Sequence, residues 1–336
     1  SLVDDLESVE LLAEIGVVVL LFTVGLEISI SRLLAMLPLM ASIGLPQIAG
    51  TTLLIAAACR WHVGTLPQAI FAGLLIAMSS TAIVLKLLSD RSQSGTQAGR
   101  ISISVLLLQD LFVIIAMLSV PLLAASAGVS APANHQNASH QSTQALVENP
   151  FLAVLVGFSI VVGVLLAGRQ FIPKVLHEVV RLRNRELFLI TLVLICLGTA
   201  AITAAAGLSL AIGAFIAGLA LSESEYGHQA FAEVLPFRDT LASLFFVSVG
   251  MLLDISFVFS HFGLVCLVVF VIVLLKVFAT AIPAMLAGFP VRTSLIAGGT
   301  IAQVGEFSFV LGSRGADVGL LTGDDYQTFL AAAVIT

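Results

Sequence analysis

Ser104-Val105-Leu106-Leu107-Leu108-Gln109-Asp110-Leu111-Phe112-Val113-Ile114 sets an amide and a carboxylate side by side inside an apolar run. Extended to about residues 101–124, that run is long enough to cross the hydrocarbon core of a bilayer as a helix. An ionised side chain at such depth costs several kcal/mol, which makes Asp110 a functional candidate. A lone carboxylate there is neutralised by a proton or by a bound monovalent cation. Competition between the two for one site is the minimal physics of an antiporter. The alternative is a structural Asp paired with a lysine or a helix terminus, and the cost of burial favours function. Gln109 cannot titrate, but its amide oxygen is a hard ligand.

Working outward, hydrophobic residues make up 59% of the 336 positions and charged residues 10%, with a mean hydropathy of +1.13. A soluble globular chain carries about a quarter charged residues. Backbone groups in lipid must be satisfied within their own segment, so helices are expected. The alternating pattern of an outer-membrane barrel is absent. The chain reads as an all-α polytopic membrane protein with spans near 9–26, 33–58, 67–88, 101–124, 149–168, 187–205, 207–222, 239–254, 262–287, 293–313 and 325–336. It opens on Ser1 and stops inside the apolar run Ala331 to Thr336, as a fragment would, with neither signal peptide nor soluble domain within it.

Net charge is −6 without any basic block, which excludes nucleic acid as a partner. Arg32, Lys86, Arg91, Arg100, Arg169, Lys174, Arg181, Arg183, Arg185, Arg238 and Arg292 all follow odd-numbered spans, whereas the other face holds only Arg60 and Arg314. That bias places the start of the chain outside and its end in the cytoplasm. Arg169 to Glu186 reads as a cytoplasmic amphipathic connector. The polar stretch Ala125 to Asn149 contains Asn137-Ala138-Ser139, a glycosylation pattern too short to carry weight. Cys59, Cys196 and Cys266 lack metal spacing and read as packing residues.

Other polar residues sit within apolar runs. Ala77-Met78-Ser79-Ser80-Thr81-Ala82 offers three hydroxyls, which either serve an unwound helix and an ion or simply bond back within an intact one. Gly298-Gly299-Thr300-Ile301-Ala302-Gln303-Val304-Gly305-Glu306-Phe307 predicts a second broken helix. Glu306 is a second titrating group or, more simply, the neutraliser of a helix end or of Lys276. Lys276 lies between Leu274-Leu275 and Val277-Phe278, and an internal ion pair with Asp110 or Glu306 is expected for it. Glu10, Glu14, Glu27 and Asp254 fall near span ends, and His135, His140 and His228 are placed in loops.

Leu20-Leu21-Phe22-Thr23-Val24-Gly25-Leu26 and Phe245-Phe246-Val247-Ser248-Val249-Gly250-Met251 resemble each other seven spans apart, as do the polar third and tenth spans. An odd separation reverses direction, which suggests inverted repeats. No His-Glu-x-x-His, no membrane-depth Ser–His pair, no phosphate-binding glycine loop and no carbonyl-filter run is present. The expected class is therefore a transporter, neither an enzyme nor a selectivity-filter channel, with no cofactor in this segment.

As a set, Leu21 to Glu27, Met78 to Ala82, Leu107 to Leu111, Gly207 to Gly218, Phe245 to Met251 and Gln303 to Phe307 resemble the Kef-type branch of the monovalent cation:proton antiporter family, the glutathione-regulated potassium-efflux-like transporters. The resemblance implies a sodium/proton-antiporter-like fold of thirteen helices in inverted repeats with two crossed unwound helices. About eleven of those spans are present here, so residues 1–336 would be its cation/proton exchanger transmembrane domain. Two helices before Ser1 and any cytoplasmic nucleotide-binding regulatory domain would then be missing. It further implies that Asp110 exchanges a monovalent metal cation for a proton, with Ser79, Ser80, Thr81 and Gln109 as oxygen ligands and Lys276, Glu306 and Gln303 as core partners. A homodimer in lipid is implied, whose ion-carrying core slides against a fixed dimerisation domain, with a regulatory domain or ancillary subunit attached and a bacterial inner or cell membrane as its location. Gln109 replaces the first Asp of electrogenic Asp-Asp relatives, which points to electroneutral potassium/proton exchange. Sodium/proton exchange and a ligand-gated potassium efflux channel are the alternatives.

Overall fold

A computed structural model describes residues 6–28, 30–60, 64–129, 150–205 and 209–336. The segment containing Asn137, His135 and His140 lies outside them. The described helices, in chain order, are α1 (Leu6–Glu27), α2 (Ile30–Leu39), a π-helical turn (Met40–Gly44), α3 (Leu45–Cys59), α4 (Leu66–Ala77), α5 (Thr81–Asp90), α6 (Gln97–Ala127), α7 (Pro150–Arg181), α8 (Arg185–Ala205), α9 (Leu210–Ser222), α10 (Gly227–Met251), α11 (Ile255–Ser260), α12 (Phe262–Leu286), α13 (Val291–Thr300), α14 (Glu306–Asp317) and α15 (Gly323–Ile335). No strand occurs among the described residues. Among the described residues, six helical stretches are long and apolar enough to cross a membrane: Leu33–Cys59, Leu66–Asp90, Gln97–Ala127, Arg185–Ala205, Gly227–Met251 and Phe262–Leu286.

Local chemistry sets the helix ends. At α4, Thr65 Oγ1 accepts from Gln68 N while Gln68 Oε1 accepts from Thr65 N, a reciprocal cap ahead of Pro67. Thr96 Oγ1 accepts from Gly99 N at 3.1 Å to start α6, and Gly128, at φ +69°, ends it in the left-handed region that glycine adopts without penalty. The span expected at 33–58 is one helix with a π turn just before Pro46, a residue unable to donate to the preceding turn.

Two expectations change. The eighth span begins at Gly227, well before 239, because Pro236, Arg238 and Glu233 are accommodated within α10. His228 is therefore helical rather than in a loop. The connector at 169–186 is not a separate element: α7 runs unbroken to Arg181 and buries Leu176.

The chain forms two compact units. One comprises residues 1–32 and 134–252, the other 33–133 and 253–336. In the first, α1 packs on α9 and α10. A methyl group at Gly25 would meet the backbone of Phe215 and Leu219, and one at Gly218 would meet the backbone of Phe22. Small residues at this crossing let two backbones touch, the usual solution where lipid supplies no hydrophobic drive. Phe22, Leu26, Phe188, Leu192, Cys196 and Leu221 fill the surrounding core.

In the second unit α3 packs on α4, α4 on α6 and α12 on α13. Gly73 lies against the backbone of Thr52, and Gly298 against Val277 O. Ile43, Val84, Ile101, Val105, Leu106 and Ala297 form a buried cluster. Every candidate ion-site residue lies in this unit.

Candidate ion-binding site

The hydroxyl-rich third span is two half-helices. α4 ends at Ala77, Met78 and Ser80 are extended at ψ 142° and 112°, and α5 begins at Thr81. The glycine-rich tenth span is broken too, between Thr300 and Glu306, with Gly305 extended at ψ 169°. Each break frees carbonyls at one helix end and N–H groups at the next, and buried polar groups of that kind must find partners.

They find them in each other. Gly305 N donates to Met78 O at 3.2 Å, Ser79 Oγ to Ile301 O at 2.8 Å, and Gln303 Nε2 to Ser80 O at 3.4 Å. Ser80 Oγ donates to Glu306 Oε2 at 2.7 Å and accepts from Ile83 N at 3.3 Å, so it caps α5 as well. A Cβ on Gly305 would stand 2.5 Å from Ser79 C and O and 2.8 Å from Ser80 N. Glycine is required at the crossing by proximity, not by its φ of −93°. Glu306 opens α14, where a carboxylate opposes the positive end of the helix dipole.

Lys276 is fully buried in α12. Its ammonium donates to Met78 O and to Gln303 O, both at 2.7 Å, one carbonyl from each break. The expected ion pair with Asp110 or Glu306 is thus replaced by hydrogen bonds to main chain. Carbonyl ends of half-helices carry partial negative charge and supply the attraction.

Gln109 is also committed. Its Oε1 accepts from Ser79 N at 2.8 Å, and its Nε2 donates to Ala77 O at 3.0 Å and to Gln47 Oε1 at 2.9 Å. Gln47, on α3 and fully buried, donates in turn to Ala77 O at 3.3 Å and Thr51 Oγ1 at 3.2 Å. Sequence reasoning overlooked Gln47. Its signal was an amide inside the apolar run Ile43-Gly44-Leu45-Pro46-Gln47-Ile48, which carries no charge to price.

Asp110 sits mid-way along α6 with 5% of its surface exposed. Thr81 Oγ1, at the first residue of α5, lies 3.0 Å from Oδ1 and 3.1 Å from Oδ2. Of the three neighbouring hydroxyls only that of Thr81 is bonded to the carboxylate. The hydroxyls of Ser79 and Ser80 are turned toward the second break.

A family profile described as sodium/hydrogen exchanger, transmembrane, matches residues 1–336. The chain belongs to that family. Two relatives of this exchanger-family chain are the Arabidopsis thaliana proteins named K(+) efflux antiporter 2, chloroplastic, and K(+) efflux antiporter 1, chloroplastic. Each is 32% identical over 323 residues, or 96% of this chain. The matched region is 27% of the first relative and 26% of the second, so the chain spans about a quarter of their length. Among solved structures, the sodium proton antiporter MjNhaP1 from Methanocaldococcus jannaschii at pH 8 superposes with a TM-score of 0.66. That likeness covers 98% of this chain and 81% of the other at 15% identity, and it carries the fold. The all-helical, sodium/proton-antiporter-like architecture with two crossed broken helices is therefore the one the sequence predicts, in a multi-pass membrane protein.

Proposed function

We propose that this chain is the transmembrane domain of a potassium/proton antiporter working by alternating access, with Asp110 holding cation and proton in turn. The observation that carries the reading is a nearly buried carboxylate facing the N-terminal turn of a broken helix, bonded there by one hydroxyl. A bare anion in that setting is costly, so the carboxylate changes sides loaded with one ion or the other. The Thr81 oxygen keeps lone pairs while donating, and it serves as a neutral ligand beside Asp110 when the cation is bound. Ser79, Ser80, Gln109, Gln303, Glu306 and Lys276 act by holding the two breaks in register. One carboxylate exchanging one charge for another is electroneutral.

Potassium is favoured by the relatives' names and by an amide at Gln109 where a second carboxylate would raise the charge. Sodium is the second reading, favoured by the family's description. The remaining three-quarters of the relatives' length leaves room for the helices and the regulatory domain expected before and after this segment, and a homodimer is the expected assembly. A bacterial inner or cell membrane is the proposed location, although the two plant relatives are named chloroplastic.

The test is cation-dependent proton flux by the full-length protein in proteoliposomes. An imposed potassium gradient should shift luminal pH more than a sodium gradient does, and Asp110→Asn should abolish the shift while the protein stays monodisperse. A membrane potential without a pH change would mean a channel, and normal exchange by Asp110→Asn would sink the assignment.

A further inference from the structure

We propose that Gln47 is a positioning residue that tunes cation affinity through Gln109, an inference that rests on the antiport reading above. Ala77 O can only accept, so each carboxamide facing it must present its NH2 group. The N–H of Ser79 can only donate, so Gln109 must present oxygen there. These two constraints fix the rotation of both side chains. Gln47 Oε1 is the second acceptor for Gln109 Nε2, at 2.9 Å, and with it both protons of that NH2 are used. Gln47 is held in turn by its own bonds to Ala77 O and Thr51 Oγ1.

Ala77 is the last residue of α4, and Ser79 is the middle of the three-residue break. The two glutamines therefore splint the break from the α3 and α6 sides, one residue short of the Ser80–Thr81 peptide. Thr81 is the side chain bonded to Asp110, so the angle at which the splint holds residues 77–79 sets where that hydroxyl meets the carboxylate. Gln47 acts on Asp110 through the backbone of residues 77–79. Removal of its amide leaves one N–H of Gln109 without its acceptor and takes one donor from Ala77 O, so the splint loosens although Ser79 N and Ala77 O still hold Gln109.

The experiment measures potassium-dependent proton flux of the full-length wild type, Gln47→Met and Gln47→Asn in proteoliposomes. Met keeps the length without donor or acceptor; Asn keeps the amide on a stem too short to reach both Gln109 and Ala77. Each should raise the apparent KM for potassium about tenfold, as the loss of one buried hydrogen bond would, with kcat within about twofold of wild type. A folded variant with unchanged KM, or with kcat lowered at constant KM, overturns the positioning role. So does aggregation of both variants on size exclusion, which would make Gln47 a folding residue. If wild type itself shows no exchange, it is the antiport reading that fails.

Discussion

Thr81 Oγ1 meets both oxygens of the Asp110 carboxylate, at 3.0 and 3.1 Å, from the first turn of α5. The contact joins a half-helix end to the one nearly buried acid of α6, and it makes the acid's occupancy sensitive to anything that competes for its lone pairs.

Protons are such a competitor. If proton and potassium compete for one carboxylate as proposed, the apparent KM for potassium should rise as pH falls, by up to about tenfold per pH unit, while kcat at saturating cation holds. Exchange weakens toward acid and recovers toward alkaline pH. Thr81→Val, which keeps the side-chain outline and drops the hydroxyl, should raise KM at every pH, and Thr81→Ser should restore it. Flux titrations at several fixed pH values check both; a KM indifferent to pH would contradict competition at one site.

Removal of the lysine tests the bridge between the breaks. Lys276→Met strips the ammonium from Gln303 O and leaves Met78 O with Gly305 N as donor, and the two lost bonds should lower stability by about 2 kcal/mol or more. The relief of burying one charge fewer opposes this, but the ammonium is already bonded at two short contacts. Thermal unfolding in detergent measures the balance, and an unchanged midpoint would show the bridge to be dispensable.

Two glycines of the tenth span should behave oppositely. Gly305→Ala drives a methyl group into the Ser79–Ser80 peptide and should abolish exchange or folding. At Gly299 an added methyl meets nothing within 4 Å, and alanine in a helix interior is favoured over glycine, so Gly299→Ala should be neutral or slightly stabilising. Expression, monodispersity and flux of the pair decide it.

The spans were legible because an apolar run of bilayer length has few other uses: the run expected at 262–287 is α12, Phe262–Leu286. The second break was legible as a glycine cluster, and the first as one of two readings of a hydroxyl triplet, whose side chains can compensate for lost helical bonds. Partners were not. Lys276 bonds to two peptide carbonyls, and a carbonyl freed by a broken helix leaves no mark in residue type. Gln109 was read as an ion ligand because its oxygen is hard, but the nearest call on that oxygen is Ser79 N. Gln47 escaped because an uncharged amide costs little enough in a span to pass for packing. The early start of α10 escaped because proline and charge there look like a loop, whereas Glu233 is anchored by Arg185 at 2.8 Å.

Fastened by Gly305 to Met78, Ser79 to Ile301, Ser80 to Glu306 and Lys276 to a carbonyl of each, the two breaks behave as a single riveted joint. Prising them apart would strip several sheltered dipoles at once, far more than one small ion repays. On the alternating-access reading proposed above, the cradle around Asp110 travels whole: passage from one side of the membrane to the other is then a matter of transport of the joint, not of its dismantling.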